Sequence, residues 1–536
     1  MKIAYPNLTL YSTLVLLLLC LNVFAQQSGS IRGKITSSDG KPAEYVSVQL
    51  KERKQSTLTN AKGEYKLNNV KPGNYTIKVS AIGLNTEEKQ VTVTEGTATE
   101  VDLVLEESSS QLEAVTIQGK QNRYKADKPS SSLRLDAPLQ QVPQNIQIIT
   151  SSALADQQVL SMSDGVARNV SGVTKLEHWG DLYTRVNMRG ARASAFRNGM
   201  NVTSTWGPLT EDMSFVDHIE FVKGPAGFMM SNGEPSGIYN VVTKKPTGSD
   251  FNGEVTATLG SYDTYRSTID LDGKFTSSGN ILYRLNMMAQ TKNSFRAYEF
   301  NDRQSFAPVI IFKLDDQTTL TAEYNYQHAK MSNVGSYYAF APQGYAVLPL
   351  RYTTLVPGID PTKVNDHSAL VYIQHHFNDN WKITGQLGYF NYLQEGSSAW
   401  PSGAISANGD MIRNISIWDA GNESKFGQLF VNGTAQFLGI NHRVLGGIDL
   451  GTKKYMADWG QSFDLDTEEK PYNIYSPTIT APVNGLPVFD RSKSLSQRAG
   501  STIIDQSYSG TYLQDELGFL EDKLKLTIAG RYTYVK

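Results

Sequence analysis

From position 251 to the last residue the chain alternates between apolar and polar positions. Phe251, Gly253, Val255, Ala257 and Leu259 fall on one side of an extended segment, and Asn252, Glu254, Thr256 and Thr258 on the other. Leu320, Ala322, Tyr324 and Tyr326 likewise oppose Thr321, Glu323 and Asn325. Leu524, Leu526, Ile528, Tyr532 and Tyr534 oppose Lys523, Lys525, Thr527, Arg531 and Thr533. A period of two with one apolar face predicts β-strands. Eleven such segments can be drawn: 251–260, 263–274, 280–291, 303–314, 318–328, 368–377, 381–393, 425–437, 442–455, 506–518 and 523–536. Three tight turns look alike, at 314–316, 377–381 and 520–522, whereas long polar or aromatic connections run near 329–366, 394–424 and 456–505. A soluble sandwich also alternates. Short turns at one end with long loops at the other is the asymmetry of a transmembrane β-barrel.

Upstream the pattern changes twice. Residues 28–106 carry extended runs at 29–36, 46–50, 63–67, 73–81, 88–93 and 100–105, separated by turns at Asp39-Gly40, Lys62-Gly63 and Pro72-Gly73, which predicts a small β-sandwich. That segment contains no His and no Cys, so a zinc-hydrolase constellation is excluded from it. A polar linker follows, with one β-prone island, LEAVTIQG, at 112–119. Beyond it, 142–150 (VPQNIQIIT) reads as a strand. Residues 151–169 have helical spacing through Leu154, Val159, Leu160, Met162, Val166 and Ala167, and Asn198-Gly199 suits a tight hairpin turn. The stretch 219–246 reads as strand, Gly-rich loop, strand. It lacks the Gly-Lys-Ser/Thr of a phosphate-binding loop, which removes a nucleotide site.

Composition sharpens this picture. The 28 Tyr and 44 Gly suit many strands joined by tight turns. A net charge of −2 gives no electrostatic footprint for nucleic acid. Residues 1–25 read as a secretory signal, with Lys2, an apolar run at 14–19 and Val23-Phe24-Ala25 before the expected cut. The one cysteine, Cys20, lies within it, so the mature chain has no thiol chemistry. No later apolar run is long enough for a spanning helix. His375-His376 is the one adjacent histidine pair and sits in a predicted strand. No catalytic constellation, resident metal or cofactor is expected, and the chain reads as a non-enzyme.

Two stretches carry a resemblance to known families. The 28 residues IEFVKGPAGFMMSNGEPSGIYNVVTKKP (219–246) resemble the plug signature of TonB-dependent outer-membrane receptors, supported by NVSGV at 169–173 and VNMRG at 186–190. Phe196-Arg197-Asn198-Gly199-Met200 falls where that family usually has Tyr-x-Asp-Gly. GxIxxxDGxPxxxVxV, TNAKGEYKL and VKPGNYTIKVSAIG resemble the carboxypeptidase-regulatory-like domain, a module without a catalytic site. The resemblance implies a mainly β chain: a signal peptide (1–25), a periplasmic sandwich (26–106), a linker (107–132), an α+β plug (133–248) and part of a barrel (249–536). It implies a TonB box at Glu113, Ala114, Val115, Thr116 and Ile117, offered as an added strand to the energy-coupling protein TonB and its inner-membrane complex. It implies that Arg189, Glu220 and Lys223 hold the plug, Arg189 and Lys223 by pairing with barrel carboxylates. The apical loops should meet the ligand, with Trp179, Tyr183, Arg192 and Trp206 as contacts.

Plugged transporters have about 22 strands, and a barrel of ~12 would be too narrow for such a plug. The odd count therefore leads us to expect part of a larger barrel, truncated at its C-terminal side. VPQNIQIIT, NVSGV, MRG and VTKKPTG are similar to the siderophore-receptor branch, which implies import of a ferric siderophore across the outer membrane of a Gram-negative bacterium, with outer-membrane lipid around the barrel. An importer of an oligosaccharide or other nutrient, and a surface-binding barrel without transport, remain the alternatives.

Overall fold

The structure is a computed structural model. It describes residues 28–536 apart from 39, 52, 54, 82–85, 106–121, 176–180, 225–229, 231–234, 334–340, 478–481 and 501. The expected signal, Trp179 and the Glu113–Ile117 segment therefore lie outside the described residues. The chain divides into two compact units, 1–120 and 121–536.

The first unit is a β-sandwich. One sheet pairs Glu64–Val70 antiparallel with Gly29–Ser37, which also pairs in parallel with Ala98–Glu100 and Leu103–Leu105. The other runs in the order Gln55–Leu58, Ser47–Leu50, Gly73–Ser80, Glu87–Val93. Alternate side chains from both sheets, among them Ile31, Ile35, Val48, Leu50, Leu67, Ile77 and Val79, close a continuous apolar core. The Tyr65 hydroxyl, carried into that core, donates to the Val101 carbonyl at 2.8 Å. Gln55–Leu58 was not foreseen. Its sequence, QSTL, has a single apolar residue, and it exists as an edge strand through main-chain pairing with Ser47–Leu50.

The second unit begins with a small mixed sheet in the order Met200–Asn201, Ser194–Arg197, Gly237–Thr243, Val216–Lys223, Asn145–Ile149. Gly237–Thr243 lies at its centre and is buried along its whole length, as an all-apolar-flanked central strand should be. Asn198 (φ 47°) and Gly199 (φ 80°) make the hairpin in the left-handed region that Asn-Gly tolerates. The predicted helix is shorter than its spacing suggested. An α-helix spans Ser151–Asp156, capped by the Thr150 hydroxyl, and a 3-10 turn spans Val166–Asn169. Between them Gln158 and Gly165 adopt positive φ, and Ser161, Ser163 and Asp164 make local turn bonds that compete with the helix. Leu154, Val159, Met162 and Val166 are nevertheless all buried.

An antiparallel sheet of 11 strands makes up the remainder, each strand paired with the next in sequence. It runs from Phe251–Gly260 to Leu524–Val535. The first and last strands do not pair with each other, so the sheet is open. Several strands are longer than the alternation indicated, and they grow at the long-loop end: Thr362–Asn378, Asp419–Phe437 and Ile440–Asp458. There the outward face turns polar, which hides the period of two. The long loops are also structured. Ser397–Pro401, Arg413–Ile417 and Ser462–Asp464 form a three-stranded sheet over a small core of Val356, Ala399, Ile415 and Leu465.

The faces of the large sheet differ. Val255, Leu259, Val371, Leu387, Leu429, Ile448 and Leu513 are exposed on one, whereas Arg266, Arg303, Glu323, Asp366, Gln428 and Asp449 are buried on the other. Polar bonds or ring contacts from residues 134–247 reach every strand except the first. A sheet that presents one face to one small domain across so many strands must curve around it.

Candidate functional site: the plug, its anchors and its outer loops

The polar face of the sheet and the small domain meet through buried ion pairs. Asp212 takes both terminal nitrogens of Arg266, each at 2.7 Å. Arg134 reaches Asp449 with two bonds of 2.9 and 3.2 Å and lies over the rings of Phe430 and Tyr512. Lys245 and the Thr243 hydroxyl share Glu323, at 2.7 and 2.6 Å. Lys244 and Arg284 share Asp270. Fully buried Arg197 spans the interface: it pairs with Glu211 at 3.0 Å inside the domain and donates to Ser368 on the sheet at 3.3 Å. Charges placed in such a setting are tolerated because each meets an opposite charge in bonding geometry. Close packing adds to this, since a Cβ on Gly207, whose φ is +81°, would lie 2.8 Å from the Tyr392 ring.

The residues expected to do this anchoring lie elsewhere. Glu220 is fully buried within the small domain, where its carboxylate accepts from the Ser130 main-chain N–H, from the Ser130 hydroxyl at 2.9 Å and from the Asn240 amide at 2.8 Å. Lys223 donates to Ser171 at 2.9 Å and Gln147 at 3.3 Å, again within the domain. Burial and neighbouring Arg189 both push its pKa down. Arg189 is exposed, packs beside Gly224 and makes no ion pair among the described residues. Among the described residues neither Arg189 nor Lys223 pairs with a carboxylate of the sheet. Their strands pair with other plug strands, while the anchoring groups Arg134, Asp212, Lys244 and Lys245 come from segments that connect or follow those strands. The clue in the sequence was Glu211-Asp212, two carboxylates set between Leu209 and Phe215, which demand buried cations.

At the long-loop end, Tyr183 and Trp206 are buried rather than presented to solvent. Tyr183 donates to Gln394 at 2.7 Å and packs with Tyr392 and Trp418. Trp206 meets Trp459, which stacks on Trp418 at 5.4 Å, and Trp459 keeps part of its face exposed. Arg192 is exposed and donates to the Ser204 carbonyl at 2.9 Å. Arg185, not singled out from the sequence, donates to the Thr205 carbonyl at 2.7 Å and lies over Tyr183. Burial, then the charge of Arg192, lowers its pKa to about 10. Two buried nodes brace the loops above: Arg413 with Asp466, and Asp419 with Arg491 and Arg498. At the short-turn end a cavity of about 620 Å³ lies between the sheet and residues 134–144, lined by Arg134, Asp136, Trp381, Lys382 and Arg443. Among the described residues no His, Cys, Asp and Glu cluster could hold a metal.

A curved sheet with one apolar exposed face, filled by a polar-anchored plug, defines the class of plugged outer-membrane β-barrel receptors. Comparison with family models agrees: a CarboxypepD_reg-like domain matches residues 31–117, a TonB-dependent receptor plug domain 138–238, and a TonB-dependent receptor-like β-barrel 310–536. The chain belongs to the TonB-dependent receptors. It is 27% identical over 398 residues to the metal-pseudopaline receptor CntO of Pseudomonas aeruginosa, covering 71% of this chain and 54% of that protein. It is 22% identical over 457 residues to the ferrichrome outer membrane transporter/phage receptor of Escherichia coli, covering 76% and 57%. Among solved structures, the ferripyoverdine receptor of P. aeruginosa bound to ferripyoverdine superposes with a TM-score of 0.63 at 21% identity, covering 81% of this chain and 57% of that one. The chain thus spans about half the length of the curated relatives it matches.

Proposed function

We propose that this chain is part of an outer-membrane importer that takes up a ferric siderophore or a similar metal chelate, driven by TonB. The single observation that carries the reading is the set of buried ion pairs that seats the plug against the sheet, placed among apolar contacts such as Phe390 and Phe426. A wholly apolar seat would make a permanent core. Paired charges and hydrogen bonds can be exchanged for water one at a time, which suits a plug that is held shut and can be moved. The relatives named for siderophores and for metal-pseudopaline support the class of cargo.

In this reading the ligand arrives between the braced outer loops and the apical plug loops, where Trp179, Tyr183, Arg192 and Trp206 line or support the site. Tyr183 and Trp206 act from behind, fixing the wall on which Arg192 and Trp459 are displayed. Glu113–Ile117 is the handle for TonB, which adds it as a strand. In the chain the handle follows the N-terminal sandwich, whose last described strand ends at Leu105. Tension on it first loads the segment around Arg134, beside the cavity at the short-turn end. The protein performs no covalent chemistry on its cargo.

Uptake of radiolabelled ferric siderophores by cells carrying the receptor, with and without residues 112–119, tests this. Uptake should vanish on deletion while surface binding persists. Equal uptake by both would sink the transport reading and favour a surface-binding barrel.

A further inference from the structure

The carboxylates that seat the plug fall into two groups. Asp449, on strand Ile440–Asp458, is fully buried and carries two arginines. Arg134 reaches it from the plug at 2.9 and 3.2 Å, and Arg531, on strand Leu524–Val535, donates to it at 2.8 Å. Both guanidiniums lie over the Tyr512 ring, 5.0 and 5.1 Å from its centre. If Arg134 leaves, Asp449 keeps a cation. The other seats differ. Asp212 and Arg266 have only each other as ion-pair partners among the described residues. Glu323 holds Lys245, Thr243 and Asn198, all from the plug, and pairs with no cation of the sheet among the described residues. Asp270 does have Arg284 beside Lys244, but Lys244 adjoins Lys245 and cannot move far without it.

The segment that carries Arg134 is lightly held. Between 130 and 144 only Ser132, Leu133, Arg134 and Ala137 are buried. Lys382 meets Asp136 at 2.8 Å with that carboxylate half exposed, and the Asn432 amide donates to the Arg134 carbonyl at 3.0 Å. Water can replace bonds of this kind. Within the plug, Glu220 would lose Ser130 but keep the Asn240 amide at 2.8 Å and His218 at 3.4 Å. Hollows flank the segment. One of about 220 Å³ borders Ser130–Ser132 and the cavity of about 620 Å³ borders Arg134–Ala137, and Lys382 and Asn432 line both. A third, of about 310 Å³, continues the second toward the short turns past Arg443 and Glu516.

We propose that Arg531 is a stand-in cation that lets the plug open at one place. Residues 130–144 leave the wall and Arg531 keeps Asp449 paired. The hollows then join into the route by which cargo reaches the periplasm, while Asp212–Arg266 and Lys245–Glu323 keep the rest of the plug seated. The inference rests on the import reading above and gives it a path. Stripping a buried carboxylate of its last cation costs far more than leaving it with a second one, so the opening follows the seat that has a spare.

Thiol labelling tests this without any cargo. The chain has no cysteine between 26 and 536, so Ser132→Cys and Thr210→Cys each place a single buried thiol, the first in the segment and the second two residues before Asp212. In the membrane-embedded receptor under mild urea, N-ethylmaleimide should label position 132 at least about tenfold faster than position 210. Arg134→Met should speed labelling at 132 by about tenfold. Arg531→Met should slow it by about tenfold, because opening would then leave Asp449 bare, and Arg531→Lys should restore the parent's rate. Position 210 should not respond to any of these changes. An arginine that merely braces the wall predicts the reverse, since its loss would loosen the seat and speed labelling. Faster or unchanged labelling at 132 in Arg531→Met, or labelling at 210 that keeps pace with 132, overturns the proposal and leaves the import reading standing. Uptake that survives deletion of 112–119 would instead sink the import reading without moving these rates.

Discussion

The sandwich and the plug are both made of short strands around an apolar core, yet only the plug also buries many charges. In the sandwich, Ile31, Ile35, Val48, Leu50, Ile77 and Val79 fill the interior, and the ion pairs Arg32–Glu100 and Lys51–Glu88 sit in solvent. In the plug, Arg197, Glu211, Glu220 and Asn240 are buried beside the apolar core, and the seat against the sheet sets charge pairs among apolar contacts such as Leu370, Phe390 and Phe426. An apolar interior is cohesive without direction, and opening it exposes area that water does not welcome. A polar interface depends on geometry. It fails sharply when one partner is lost, but every group released finds water. The first design suits a module that stays folded, the second a part that must be held and then freed.

The sharpest way to break this contrast is to remove one partner from the plug's seat. Arg266→Met leaves Asp212 buried against the sheet without its cation, and should cost about 3–5 kcal/mol of plug docking, read as increased protease cleavage within 138–238. Replacing both partners with apolar residues, Asp212→Leu with Arg266→Met, should recover much of that loss. If the single variant behaves like the parent, the ion pairs are ornaments and the plug is held by shape alone. In the sandwich the corresponding blow is Ile77→Ala, which leaves a cavity in a fully buried apolar site. It should lower sandwich stability by about 3 kcal/mol and leave protease sensitivity of the plug unchanged.

A third measurement separates the two regions by pH. His218, on a plug strand, is largely buried, which works against its charge, but bonds to Asp217 and Glu220 raise its pKa to about 9. A group held protonated in the folded state contributes stability that is complete below its ordinary value of about 6.5 and disappears as pH climbs through about 9. Plug stability should therefore fall between those values, by no more than about 2 kcal/mol because Asp217 is half exposed. Asp217 works in the other direction. Its pKa is depressed, burial being outweighed by the bond to His218, so its share is present above the usual carboxylate range and lost on acidification. His218→Gln should flatten the alkaline loss, followed by chemical unfolding across the pH series. A loss of equal size in the variant would assign it to another group.

How much of this was legible beforehand follows the same divide. Strands with one apolar face announce themselves, so the eleven segments of the sheet and most of the sandwich could be drawn from periodicity. Gln55–Leu58 could not, because an edge strand needs only main-chain partners. Nor could the outer ends of Asp419–Phe437 and Ile440–Asp458, where polar residues such as Asn422, Lys453 and Asp458 occupy buried positions. The plug was legible as a signature but not as a mechanism. Arg189, Glu220 and Lys223 stood out because they punctuate recognisable strands, whereas Arg134 and Asp212, the groups that touch the sheet, lie in connecting segments. Which charges meet across an interface depends on pairs more than 300 residues apart in sequence, such as Arg134 and Asp449, and no local pattern records that. Buried Tyr183 and Trp206 show the same limit, since an aromatic residue in a loop reads alike whether it faces ligand or wall.

The smallest expected effect sharpens the comparison from the sandwich side. Arg32 and Glu100 meet at 2.7 Å with side chains 55% and 69% exposed. An ion pair in that setting gains little over two hydrated charges and gives up side-chain freedom to form. Arg32→Ala should change sandwich stability by about 0.5 kcal/mol or less, and added salt should erase even that. The same substitution chemistry at Arg266, where the pair is buried, is expected to cost several times more. Distance is alike in both pairs, 2.7 Å, so the ratio isolates burial as the variable. Denaturant unfolding of Arg32→Ala, alone and in high salt, gives the exposed limit against which the plug's anchors are measured. A loss at Arg32 comparable to that at Arg266 would mean that contact geometry, rather than removal from water, sets the strength of these pairs, and the distinction between a cohesive module and a releasable one would have to be rebuilt on other grounds.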